Sequence, residues 1–138
     1  MNHRLAAYLA AVATMLLLDL LWLGWVARPL YLQGLGHLMA DSPMWWAAAL
    51  FYAVYGLGLL RFAIAMPAAR VAAGTVAQSA RAGALFGFVA YATYDLTNLA
   101  TLRDWPVALA FIDIAWGTLA SAAAAAAGRW AWVRLAAR

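Results

Sequence analysis

The chain has 138 residues, 69% of them apolar and only 10% charged, which leaves too little polar surface to cover a water-soluble globule. Its net charge of +4 comes from nine basic residues, all arginine, scattered among apolar runs, so there is no basic stripe for nucleic acid. The absence of cysteine excludes disulfides and thiolate metal sites, and an all-Arg, all-Asp charge set with abundant alanine fits a high-GC bacterial genome.

A bilayer crossing needs roughly 20 apolar residues, and the chain has room for four with short connections and no soluble domain. The first span is predicted over residues 5–27, ending at Arg28-Pro29. Arg4 before an apolar run resembles a secretory signal, but the length of about 20 residues and the internal Asp19 favour a retained helix. The second span is predicted over 43–65, opened by Ser42-Pro43 and stopped before Met66-Pro67. A third runs over 76–100. The fourth opens at Pro106, runs over 106–127, and is expected to stop at Gly128-Arg129. The predicted fold is thus all-α: a polytopic four-transmembrane-helix bundle forming one membrane domain over residues 1–138.

Arginine distribution gives the orientation. Arg4, Arg61, Arg70, Arg81, Arg129, Arg134 and Arg138 fall on one side, Arg28 and Arg103 on the other, so both termini are expected to be cytoplasmic. Trp45, Trp46 and Trp105 suit an outer aromatic belt, with Trp130 and Trp132 at the opposite rim. Small residues should bring helices together, since lipid removes the usual hydrophobic drive. Gly83 and Gly87 form a GxxxG pattern in the third span, and Gly117 and Ser121 lie in the fourth. These positions suit helix contact inside one chain or a homo-oligomer through Gly83 and Gly87.

Three aspartates lie inside predicted spans, where a charged carboxylate costs about 2.5–3.5 kcal/mol or more. At roughly 1.5 Å per residue, Asp19 lies about 14 Å below the end of its span, Asp113 about 10 Å beyond Pro106 and Asp95 about 9 Å before Thr101. Similar depth on three helices predicts one outer-side pocket. Trp22 follows Asp19 by three residues and Trp116 follows Asp113 by three, while Tyr91 and Asn98 flank Asp95. The repeated Asp-x-x-Trp, once outward-bound and once inward-bound, hints at an inverted relation between first and last spans.

Carboxylates walled by aromatic rings suit positive charge. Asp19, Trp22, Tyr91, Asp95, Asn98, Asp113 and Trp116 are therefore the candidate ligand-binding residues for a small cationic or amphiphilic molecule, with possible exchange against protons. The same groups suit a lipid-modifying enzyme in which Asp19, Asp95 and Asp113 act as acid and base. A third reading is structural, with the aspartates locked to Arg28, Arg103, Asn98 or tyrosine hydroxyls, or to the charges of a partner subunit. Three carboxylates also suit a hard cation, but the segment from Tyr31 to His37 has no ligand spacing and His37 reads as a loop residue. No metal or cofactor is expected, and GxSxG, Walker, HExxH and CxxC motifs are absent.

Leu18-Asp19-Leu20-Leu21-Trp22, Gly36-His37-Leu38, Phe51-Tyr52-Ala53-Val54-Tyr55-Gly56, Tyr94-Asp95-Leu96-Thr97-Asn98, Asp104-Trp105 and Asp113 to Gly117 together resemble one family over the whole chain. It is the bacterial membrane family called domain of unknown function 2177. The resemblance implies a multi-pass protein of the bacterial inner membrane, with membrane lipids as neighbours and no activity assigned.

Overall fold

The computed structural model describes residues 2–65 and 74–137. Asn2 caps the first helix, its side chain accepting the Arg4 backbone N–H at 3.0 Å. Helix α1 spans His3–Leu21 and widens into a π-helical turn over Trp22–Val26, closed by the Ala27 N–H on the Trp22 carbonyl at 2.7 Å. The helix does end beside Arg28-Pro29. The next segment is helical and not a loop, however: proline suits a first helical turn because it has no N–H to leave unpaired, and α2 spans Arg28–Leu35.

Helix α3 spans Trp45–Leu59 and ends in a second π turn over Leu60–Ile64. Its start corrects the expected one at Pro43. Met44 takes the N-cap position with no side-chain cap, and Ser42 and Pro43 lie outside the helix. The expected stop at Met66-Pro67 and the charges of Arg70 and Arg138 lie outside the described residues. Helix α4 spans Val76–Thr101 and opens with a reciprocal cap: Thr75 Oγ1 accepts the Gln78 N–H, and Gln78 Oε1 accepts the Thr75 N–H. The turn to the last helix places Asp104 at φ 58°, a left-handed conformation that aspartate tolerates better than most residues.

Helix α5 spans Val107–Ala136, about 45 Å. It overruns the expected stop, and the reason is packing. A Cβ on Gly128 would lie 2.5 Å from Ile64 Cδ1 and 2.9 Å from the Ala7 carbonyl oxygen, so this glycine permits a close three-way crossing and does not cap the helix. Arg129, one residue on, donates from Nε to the Gly74 carbonyl at 2.6 Å.

Helices α4 and α5 lie along each other; α1 packs on α5, and α3 packs on α1. The α4–α5 seam is made of small residues: a Cβ on Gly83 would sit 2.5 Å from Ala125 Cβ and 2.6 Å from the Ser121 carbonyl oxygen. Gly87 presses in the same way on Gly117 and Ser121. The surface that these two glycines offer is therefore filled within the chain.

The core is inverted relative to a soluble protein. Alanines such as Ala7, Ala11, Ala124 and Ala125 are buried, while Leu17, Leu20, Leu85 and Leu119 are more than half exposed. Large apolar side chains facing outward with small ones inside suit an apolar solvent. Among the described residues three helical stretches are long and apolar enough to cross a membrane: His3–Val26, Trp45–Ile64 and Val107–Ala136. Helix α4 falls short on composition, carrying Gln78, Arg81, Asp95 and Asn98.

Candidate functional site

Where α1 and α5 approach α2, the small residues give way to aromatic ones. Trp22 and Trp116 stack face to face, ring centroids 4.4 Å apart and planes within 4°. These are the two tryptophans of the repeated Asp-x-x-Trp, so the two motifs meet across an antiparallel pair of helices.

Their polar ends are crossed. Trp116 donates its indole N–H to Asp19 Oδ1 at 3.1 Å, reaching the carboxylate of the other motif. Tyr52 on α3 donates to Asp19 Oδ2 at 3.1 Å. Asp113 accepts a hydrogen bond from the hydroxyl of Tyr31, which α2 carries, and the Trp22 indole lies beside that same hydroxyl. Asp19 therefore meets the opposite tryptophan directly, whereas Asp113 meets Tyr31, and the Trp22 indole N–H has no hydrogen-bond partner among the described residues.

Asp19 and Asp113 line one cavity of about 540 Å³, together with Trp22, Tyr31, Tyr52, Tyr55, Tyr91, Tyr94 and Trp116 among others. That volume suits a small organic molecule. Asp19 is 4% exposed and Asp113 is half-buried. The hydrogen-bond donors on both are neutral, and neither Arg28 nor Arg103 is among them. Both arginines are exposed. The two cavity carboxylates are thus not locked to Arg28 or Arg103. Gly117 lets the Tyr91 ring lie directly on the α5 backbone, which sets one wall of the cavity.

Asp95 stands apart. It is 1% exposed and does not line the cavity, and neither does Asn98. Among the described residues Asp95 Oδ2 has no hydrogen-bond partner, and the same holds for the buried nitrogens Trp22 Nε1, Asn98 Nδ2 and Trp105 Nε1. Asn98 is therefore not the amide partner of Asp95 that the sequence suggests; the neighbour of Asp95 is Trp105. Among the described residues no three of Asp, Glu, His or Cys are close enough to cage a metal ion.

Tyr55 also lines the cavity, and its hydroxyl is 2.7 Å from Ser121 Oγ at the start of the seam. Tyr31, Tyr52 and Tyr55 are cavity-lining residues that spacing arguments on aspartate pass over. Their signal is present all the same: a phenol in an apolar helix carries a hydroxyl that needs a partner when buried.

A family model described as "Predicted membrane protein (DUF2177)" matches residues 4–130. No curated protein and no solved structure matches the chain. The chain belongs to that family and is a membrane-embedded protein.

Proposed function

We propose that this membrane protein binds a small cationic or amphiphilic molecule between Asp19 and Asp113 and carries it across the bilayer in exchange for protons. One observation carries the reading: two carboxylates, held only by neutral donors, share a cavity whose walls are tryptophan and tyrosine rings. Charge at membrane depth is costly without a counter-charge, and indole and phenol faces attract cations. A bound cation supplies what Tyr31, Tyr52 and Trp116 do not. Protonation of a carboxylate removes the same attraction, so ligand and proton compete and binding weakens as pH falls.

The accompanying topology has four crossings in the bacterial inner membrane and both termini in the cytoplasm. Helix α4 supports the fourth crossing by being 26 residues long, about 39 Å, and lying along α5 despite its polar residues. Arginine bias supports the orientation, with only Arg28 and Arg103 at the α2 end. The cavity then lies toward the outer face.

Binding of benzyltrimethylammonium to the protein in lipid nanodiscs tests this. The wild type should bind and release protons into weakly buffered solution, and Asp19→Asn and Asp113→Asn should each bind at least roughly tenfold more weakly. Equal binding by both variants would sink the proposal. Vesicles loaded with a pH dye then separate carriage from chemistry: uptake of unaltered cation with proton exit is expected, and an altered product would move the protein to the acid–base enzyme class.

A further inference from the structure

Helix α3 does not close against α4 along its length. The two approach at Gly58, which packs on Phe86, and through the π turn at Leu60–Ile64, and toward the α2 end an apolar groove of about 710 Å³ opens between them. Leu50, Val54, Gly58 and Phe62 line it from α3, and Phe86 and Ala90 from α4. Leu50 and Val54 are more than half exposed, as residues that face lipid would be.

Phe51, Tyr55 and Ala90 line both this groove and the aspartate cavity, so the two spaces share a wall and meet at those residues. Charge runs in one direction along the pair. The carboxylates Asp19 and Asp113 lie in the cavity, while Arg61 borders the groove at its far end, its guanidinium 5.8 Å from the Phe62 ring. From Phe51 to Phe62 the groove follows α3 for about 16 Å, close to the depth of one leaflet of a bilayer whose apolar core is about 30 Å thick.

From this geometry we infer that the ligand is a single-chained cationic amphiphile that enters sideways from the bilayer, its head passing Phe51 and Tyr55 to the carboxylates and its chain lying in the α3–α4 groove. The inference rests on the cation-binding reading above and narrows it. Polarity fixes the pose, since an anionic head would be drawn toward Arg61 and repelled by Asp19 and Asp113. The groove also explains why α3 meets its neighbours over so little of its length: the missing contact is supplied by a hydrocarbon chain.

The experiment measures displacement of benzyltrimethylammonium in nanodiscs by tetramethylammonium, dodecyltrimethylammonium and dodecyl sulfate, on the wild type and on Val54→Trp. Position 54 touches the groove and not the cavity, and its exposure of 59% leaves room for a larger side chain at the lipid face. Partitioning of the long chain into the bilayer is the same for both proteins and cancels in their ratio. Val54→Trp should weaken the dodecyl cation roughly tenfold, an overpacking penalty of ordinary size, and change tetramethylammonium less than about twofold. Leu50→Trp should repeat the pattern, and retained binding of the short cation shows that each variant is folded.

An unchanged dodecyl affinity in both variants would overturn the groove while leaving the cavity reading intact. Dodecyl sulfate displacing as well as the dodecyl cation would overturn the charge assignment. Wild-type protein that binds neither cation removes the cavity reading and this inference with it.

Discussion

The α4–α5 seam and the aspartate cavity are built from the same two faces of α5, yet one is closed and the other open. At Gly117, Ser121 and Ala125 the helices come into close contact, because Gly83 and Gly87 carry no side chain to hold them apart. Toward the α2 end, past Gly117, the contacts on α5 come from Tyr91, Trp116, Trp22 and Tyr31. Rings of that size cannot interdigitate as alanines do, and the space that they leave holds the two carboxylates. Side-chain volume along one helix thus separates the close-packed part from the part that leaves a cavity.

The largest effect should come from breaking the closed half. Gly83→Val puts a branched side chain where even a Cβ falls 2.6 Å from a backbone oxygen that cannot rotate away. The expected loss is about 3 kcal/mol, the upper end for overpacking, in equilibrium unfolding from mixed micelles. A loss below about 1 kcal/mol would mean that the seam is looser than its geometry and that the contrast with the cavity is one of degree.

The open half should respond through hydrogen bonds. Trp116→Phe keeps an aromatic ring against Trp22 but removes the indole N–H from Asp19, leaving Tyr52 as its donor. Taking the donor from a buried acceptor costs about 1–3 kcal/mol, so stability without ligand should fall by about 2 kcal/mol. Trp25→Phe, at a side chain 80% exposed, should stay within about 0.5 kcal/mol of wild type. If the two substitutions cost the same, the Trp116 N–H does not hold Asp19.

Those two halves are unequally legible in the sequence. Apolar runs give the long helices, and the cost of intramembrane charge singles out Asp19 and Asp113, which do share a cavity with Trp22, Tyr91 and Trp116. Depth alone cannot show that Asp95 lies behind the cavity, because rise along a helix fixes height and not rotation. Gly128 reads as a stop because glycine often ends helices; its real use depends on Ala7 and Ile64, which are remote in sequence. Helix α2 is too short to register as an apolar run although Pro29 marks its first turn, and with it goes Tyr31, the donor to Asp113.

The smallest predicted effect sits on the boundary between the halves. Tyr55 lines the cavity and its hydroxyl meets Ser121 Oγ, which belongs to the seam, so this bond is where the open part is tied to the closed part. Tyr55→Phe should cost about 1 kcal/mol, the usual net worth of a neutral hydrogen bond. Ser121 is fully buried, and losing one partner strands the other, so the pair Tyr55→Phe and Ser121→Ala should cost less than the sum of the singles by about 1 kcal/mol. A double-mutant cycle in mixed micelles measures this. Additive losses would mean that the halves are merely adjacent; coupling means that a ligand pressing on Tyr55 is felt in the seam, the link that a carrier needs between its binding cavity and the helices that must move.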